Sequence, residues 1–145
     1  MREKRALFEG ATYHVTSRTN RKTDAFSGNG GQRILLQVIR EAEEKYGFIL
    51  HNFCIMPNHF HLLITPQGET NLSRIIQWIK TKSAKRWNFT NNLTDHFWGE
   101  RFYSRPIKNE EEYNIVFNYI DQNPVKAGLV SNPHDWKASG AYYRL

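Results

Sequence analysis

The stretch Phe48-Ile49-Leu50-His51-Asn52-Phe53-Cys54-Ile55-Met56-Pro57-Asn58-His59-Phe60-His61-Leu62-Leu63-Ile64-Thr65 decides the fold. Two apolar runs, residues 48–55 and 59–65, are separated only by Met56-Pro57-Asn58, and so short a connection reads as the turn of an antiparallel hairpin. Side chains alternate along a strand, so His59 and His61 project to one side while Phe60, Leu62 and Ile64 project to the other. Two imidazoles on one rigid wall suit a divalent metal, because neutral imidazole is a good ligand and a fixed backbone holds both nitrogens near one point. The spacing alone fits equally well two half-exposed strand histidines without a ligand, since short histidine motifs recur by chance.

Working outward, residues 11–19 are rich in β-branched and aromatic side chains and predict a first strand. A polar, glycine-bearing loop over residues 20–31 follows. Between residues 32 and 46 the positions Ile34, Leu35, Val38, Ile39 and Ala42 recur at helical spacing, and Gly47 stands where a helix would stop. Residues 71–88 form a second amphipathic helix, with Leu72, Ile75, Ile76, Ile79 and Ala84 on one side and Arg74, Lys80, Lys82, Lys85 and Arg86 largely on the other. The aromatic and arginine-bearing stretch over residues 95–107 can add a strand at its end. A third helix over residues 110–122 is acidic at its start, as the helix dipole favours, and Pro124 limits its continuation. The succession of strand, helix, strand, strand, helix, strand, helix predicts an α+β sandwich of the ferredoxin-like or RRM-like kind, a mainly antiparallel sheet with packed helices.

At 145 residues the chain fits a single domain spanning residues 1–145. Lys and Arg number 20 against 14 Asp and Glu, a net charge of +6, with a pI near 9.5, which favours a polyanionic partner such as nucleic acid. No stretch approaches the roughly 20 apolar residues of a membrane span, and Met1-Arg2-Glu3-Lys4-Arg5 does not lead into a signal-peptide apolar core, so a cytoplasmic location is expected. The single cysteine, Cys54, rules out an internal disulfide and sits in an apolar run, where packing explains it.

The third helix carries the second chemical feature. Tyr119 and Asn123 are four residues apart and share one helix face with Ile115. Packed over the sheet near the histidines, that face would offer a phenol as nucleophile and an amide oxygen as a third ligand. The plainer alternative is a core tyrosine, with Asn123 ending the helix before Pro124.

Taken together, Met56-Pro57-Asn58-His59-Phe60-His61-Leu62-Leu63 and the later Asn118-Tyr119-Ile120-Asp121-Gln122-Asn123-Pro124-Val125-Lys126-Ala127-Gly128-Leu129-Val130 closely resemble the single-tyrosine HUH transposases, and best their REP-associated subgroup. Tyr13-His14-Val15-Thr16-Ser17-Arg18 and Phe97-Trp98-Gly99-Glu100-Arg101-Phe102 extend the resemblance over nearly the whole chain. It implies a metal-dependent endonuclease and strand transferase for single-stranded DNA, with hairpin-forming, palindromic repeats as substrate. His59 and His61 would then hold a divalent cation, Mg or Mn, and Tyr119 would attack a DNA phosphate. Asn123 maps to the third ligand, where many related transposases carry glutamine and the REP-associated branch carries asparagine. Relatives with an exchanged tyrosine helix are dimers and REP-associated ones work as monomers, so both a monomer and a homodimer stay open.

On this reading Tyr119 forms a 5′-phosphotyrosine and frees a 3′-OH, and the covalent bond conserves the energy of the phosphodiester for rejoining. No general base stands out; solvent, substrate or Lys126 would assist. Phosphates would be tracked by Arg18, by Arg74, Lys82 and Arg86 of the second helix, and by Arg101, Arg105, Lys108 and Lys126, while exposed aromatics would stack unpaired bases. Trp78, Trp87, Trp98 and Trp136 are better read as packing residues. His14, His51, His96 and His134 lack a matching partner in the sequence and are given no catalytic role. Two further readings share the charge and fold: a noncatalytic binder of structured single strands, and a host-function nuclease that cuts repeats without moving its own gene.

Overall fold

In a computed structural model, which describes residues 10–19, 26, 29–93 and 97–144, the hairpin forms around Pro57 and Asn58. Its strands, β2 (Ile49–Met56) and β3 (His59–Thr65), set Cys54 opposite His61 and Met56 opposite His59. β1 (Tyr13–Thr19) pairs with the other side of β3, and β4 (Trp98–Pro106) pairs with β1. The strand order is β2-β3-β1-β4, with every pair antiparallel. Helices α1 (Asn29–Tyr46) and α2 (Leu72–Thr90) make the crossovers, which is the ferredoxin-like α+β sandwich that the element order predicts. The helix α1 begins three residues before the predicted start; apart from Phe26 and Asn29 to Gly31, the predicted loop over residues 20–31 lies outside the described residues.

Strand alternation sorts the sheet into two unlike faces. Tyr13, Val15, Phe53, Ile55, Phe60, Leu62 and Ile64 are buried against Leu35, Val38 and Ile39 of α1 and Leu72, Ile75, Ile76 and Ile79 of α2. The two helices are tied by a bidentate pair between Arg86 and Glu41, with N–O distances of 2.6 and 2.7 Å. The buried indole of Trp98 donates to Ser83 Oγ at 3.0 Å, which fastens β4 to α2 without leaving a polar atom unpaired. Gly47, at φ +69°, closes α1 by donating its amide to the Glu43 carbonyl, a left-handed position that suits glycine.

The opposite face is covered by α3 (Glu110–Lys126) alone among the long helices, through Val116 and Ile120 on Cys54, Met56 and Leu63. This contact lies over β2 and β3, so among the described residues the same face over β1 and β4 stays open. Asn109 caps α3 by accepting from the Glu112 amide, and Glu110, Glu111 and Glu112 oppose the helix dipole. The predicted stop before Pro124 is wrong by one turn: the helix runs through Pro124 to Lys126. Proline here removes only the hydrogen bond to the Ile120 carbonyl, and its ring is buried under the helix.

The segment after α3 has no strong periodicity and takes its place from contacts with β2. A short 3-10 turn (Pro133–Asp135) and the four-residue α4 (Gly140–Tyr143) flank a stretch in which Ala138 accepts from the Ile55 amide at 2.9 Å. Trp136 donates its indole N–H to the Ile55 carbonyl at 2.9 Å, and Ser139 bridges to Cys54. The outer edge of β2 is thereby covered, which removes a template for pairing with other chains. A β-carbon at Gly140 would collide with Asn52 Oδ1, itself held by neighbours on both sides. Gly140→Ala is therefore expected to cost about 1–3 kcal/mol, measured as a lower urea midpoint with an unchanged m-value.

Candidate active site

The site is assembled by β1, because its two partners bring distant residues onto one face. Pairing with β3 sets Thr16 opposite His61 and Arg18 opposite His59, and pairing with β4 sets His14 opposite Arg105 and Thr16 opposite Tyr103. His14, Thr16, Arg18, His61, Tyr103 and Arg105, with Ile115, Val116 and Tyr119 of α3, line a groove of about 690 Å³ on this face of the sheet; His59 lies outside its lining, beside His61.

His59 and His61 do project together, with ring centroids 5.0 Å apart. His61 is only 4% exposed, and its Nδ1 lies 3.1 Å from both His14 Nε2 and Thr16 Oγ1. Its Nε2 is buried without a hydrogen-bond partner among the described residues. His59 Nδ1 lies 2.8 Å from Asn58 Oδ1. Burial pushes the pKa of His61 down to about 3, with His59, His14 and Arg18 adding to the effect, and that of His59 down to about 4, with Arg18 adding. Both rings are neutral at pH 7, the form that ligates metals. A buried nitrogen left unpaired is costly unless it serves a ligand, so the donor set fits a cation.

Tyr119 is 44% exposed. Its ring meets His61 edge-on at 5.6 Å and His14 at 6.0 Å, and Lys126 Nζ lies 5.8 Å from its centroid. It is thus a groove residue rather than the core tyrosine of the plainer alternative, and Asn123, half-buried one turn on, lies inside the helix rather than ending it. Among the described residues no three His, Cys, Asp or Glu side chains cluster as a metal site. A cation on His59 and His61 would need a donor of another type, such as an amide oxygen, which Asn123 carries one turn after Tyr119.

Residues 8–123 match the family described as "Transposase IS200 like". The chain belongs to the IS200-like transposases. Within that family it is similar to proteins named as REP-associated tyrosine transposases. A REP-associated tyrosine transposase of Escherichia coli K12 is 26% identical over 138 residues, 94% of this chain and 79% of that protein. A Haemophilus influenzae protein provisionally given the same name is 30% identical over 106 residues, and the match spans 66% of this chain and 60% of that protein's length. A solved REP-associated tyrosine transposase bound to a REP hairpin superposes with a TM-score of 0.82 at 25% identity, covering 99% of this chain and 84% of the other. A Deinococcus radiodurans R1 protein shares the fold, with a TM-score of 0.59 at 17% identity over 84% of this chain and 97% of its own.

In this transposase the helix that carries Tyr119 is tied down near both ends. His51 Nδ1 lies 3.1 Å from the Tyr113 hydroxyl, while Asn52 Nδ2 donates to the Phe117 carbonyl at 3.1 Å and to Asp121 Oδ1 at 2.8 Å. Arg144 closes the second tie with an ion pair to Asp121. Of the predicted phosphate contacts, Arg18 and Arg105 line the groove, Lys126 lies beside Tyr119, and strand alternation puts Arg101 on the face of Tyr103 and Arg105. Arg74, Lys82 and Arg86 sit on α2, behind the sheet, where Arg86 is paired with Glu41 and Lys82 lies over Trp78. Trp98 is buried, and Trp78, Trp87 and Trp136 pack against the core as predicted.

Sequence reasoning missed His14, which stacks on His61 with centroids 5.3 Å apart, and Tyr103, which is 72% exposed in the groove. The signal for both was the parity of β1 against β3 and β4, which requires knowing that β1 lies between them. His51 and His134 bond elsewhere, to Tyr113, Thr65 and the Ala141 carbonyl, and His96 lies outside the described residues.

The histidine burial has a measurable consequence. Unfolded His59 and His61 titrate near 6.5 while the folded rings resist protonation down to about 4 and 3, so the unfolded state binds more protons between these values and stability falls with acidity there. In metal-free protein, stability is expected to be full above pH 6.5 and to decline progressively towards pH 4. His61→Gln should flatten the decline in urea midpoints measured across that window.

Proposed function

We propose that the chain is a metal-dependent endonuclease and strand transferase that cuts single-stranded DNA beside hairpin-forming repeats through a phosphotyrosine at Tyr119. The observation that carries this reading is that one groove of a single chain is lined by an accessible phenol, the neutral imidazole of His61 and the cations Arg18 and Arg105, with neutral His59 next to His61 and Lys126 next to Tyr119. The likeness to a protein solved with a REP hairpin motivates the choice of substrate. A divalent ion, Mg or Mn, held by His59, His61 and Asn123 would neutralise charge at the scissile phosphate and stabilise the departing oxygen.

The chain's own groups supply the rest. The Tyr119 oxygen attacks phosphorus, the bond from phosphorus to the 3′ oxygen breaks, and that oxygen leaves as a 3′-OH while the 5′ side stays on the enzyme. Attack by a DNA 3′-OH on the phosphotyrosine reverses these bonds and rejoins strands. The Lys126 ammonium near the ring eases the build-up of negative charge on the phenol oxygen. Arg18, Arg101 and Arg105 hold neighbouring phosphates. Tyr103 and Ile115, which is 62% exposed, give the groove an apolar surface on which an unpaired base can stack. The contact of Tyr119 with His61 of the same chain supports a site built within one chain, for which a monomer would suffice.

Incubation with labelled single-stranded hairpin repeats and Mg or Mn, followed by denaturing electrophoresis, tests the reading. A covalent protein–DNA adduct is expected, absent in Tyr119→Phe and His59→Ala. Tight binding without an adduct in either metal would leave a noncatalytic repeat binder. For the binding groove, Tyr103→Ala should weaken single-strand affinity by about 1–3 kcal/mol, measured by anisotropy, and Arg105→Ala should reduce the salt dependence. Arg74→Ala, behind the sheet, should leave both unchanged.

A further inference from the structure

We propose that His14 and Thr16 act as positioning residues that fix the tautomer of His61 and thereby set the site's affinity for its divalent cation. The inference rests on the reading of His59 and His61 as metal donors.

A neutral imidazole has one N–H and one lone pair, and each ring nitrogen takes one of them. At His61 the two nitrogens have opposite surroundings. Among the described residues Nε2 is buried with no partner, whereas Nδ1 has two at 3.1 Å, His14 Nε2 and Thr16 Oγ1. A proton on Nε2 would bury a donor without an acceptor. A proton on Nδ1 meets two acceptors and leaves the Nε2 lone pair for a cation. His14 accepts in this arrangement only if its own proton is on Nδ1, and its ring is kept in place by stacking on His61 with an interplanar angle of 21°. His59 is treated alike by a different residue: Asn58 Oδ1, 2.8 Å from His59 Nδ1, accepts from it and frees Nε2. Two histidines, held by unrelated neighbours, are thus set in the same tautomer, as a shared ligand requires. Thr16 alone is a weaker selector, because a hydroxyl can donate as readily as accept.

The test uses the full chain without DNA. Long-range ¹⁵N spectra of the histidine rings read the His61 tautomer directly, and Mn titration by calorimetry reads affinity. Wild type is expected to carry the proton on Nδ1. His14→Phe combined with Thr16→Val keeps an aromatic ring and a β-branched side chain but removes both acceptors; it should shift His61 towards the Nε2–H form and weaken Mn binding about 10- to 100-fold. His14→Gln, whose amide oxygen can take the place of the imidazole acceptor, should restore much of that affinity. A merely structural role would lower thermal stability and leave tautomer and affinity alone. The proposal is overturned if wild-type His61 is protonated on Nε2, a result that needs no variant to fold. It is also overturned if the folded double variant binds Mn as tightly as wild type while wild type cleaves DNA normally, and then the functional reading stands. Failure of wild type to bind Mn at all overturns both.

Discussion

The seating of Val116 and Ile120 on Cys54, Met56 and Leu63 is the contact on which the site depends. Its apolar stripe is narrow, with Val116, Ile120 and Pro124 buried at successive turns beside half-buried Tyr113 and Phe117, and the contacts of α3 with the sheet lie over β2 and β3. Ile115 and Tyr119 each precede a buried residue by one position, about 100° around the helix. Burying Val116 and Ile120 therefore turns Ile115 and Tyr119 to the border of the contact, over the uncovered strands. A wider apolar face would have closed the groove; a rotation by one residue would have buried the phenol.

Polar ties make that seating specific. Apolar contacts are non-directional and would tolerate sliding, whereas the hydrogen bonds from Asn52 to Phe117 and Asp121, and the pairing of His51 with Tyr113, allow one register of the helix on the strand. The C-terminal segment reinforces this, since Arg144 engages Asp121 and also lies 4.6 Å from the Phe117 ring. The C-terminal segment that shields the edge of β2 thus also holds the helix that carries Tyr119. The histidines are fixed independently by the backbone of β3, so phenol and imidazoles meet through two rigid supports rather than a mobile loop.

What was legible in the sequence was local. The hairpin, the shared side of His59 and His61, and the shared helix face of Tyr119 and Asn123 follow from periods of two and 3.6 residues. The alternation of elements was enough to predict the ferredoxin-like sandwich. Long-range pairing was not legible from pattern alone: His14 looked solitary because its partner His61 lies 47 positions away on a strand that pairs with β1. The basic face of α2 was read correctly as polar, but amphipathicity does not say on which side of the sheet a helix packs, and Lys82 and Arg86 fall behind it. Pro124 misled because a proline near a helix end costs only one hydrogen bond. Residues 129–144 carried too little periodicity to read, since their course is set by the edge they cover.

The central claim is that one chain brings two neutral histidines and its own tyrosine to a single cation. Anomalous diffraction from crystals of the Tyr119→Phe protein grown with Mn and a single-stranded repeat tests it directly. The account expects one Mn peak bonded to His59 and His61, with residue 119 of the same chain facing the phosphate beside it. A peak elsewhere, or residue 119 supplied to that phosphate by a second chain, would contradict it.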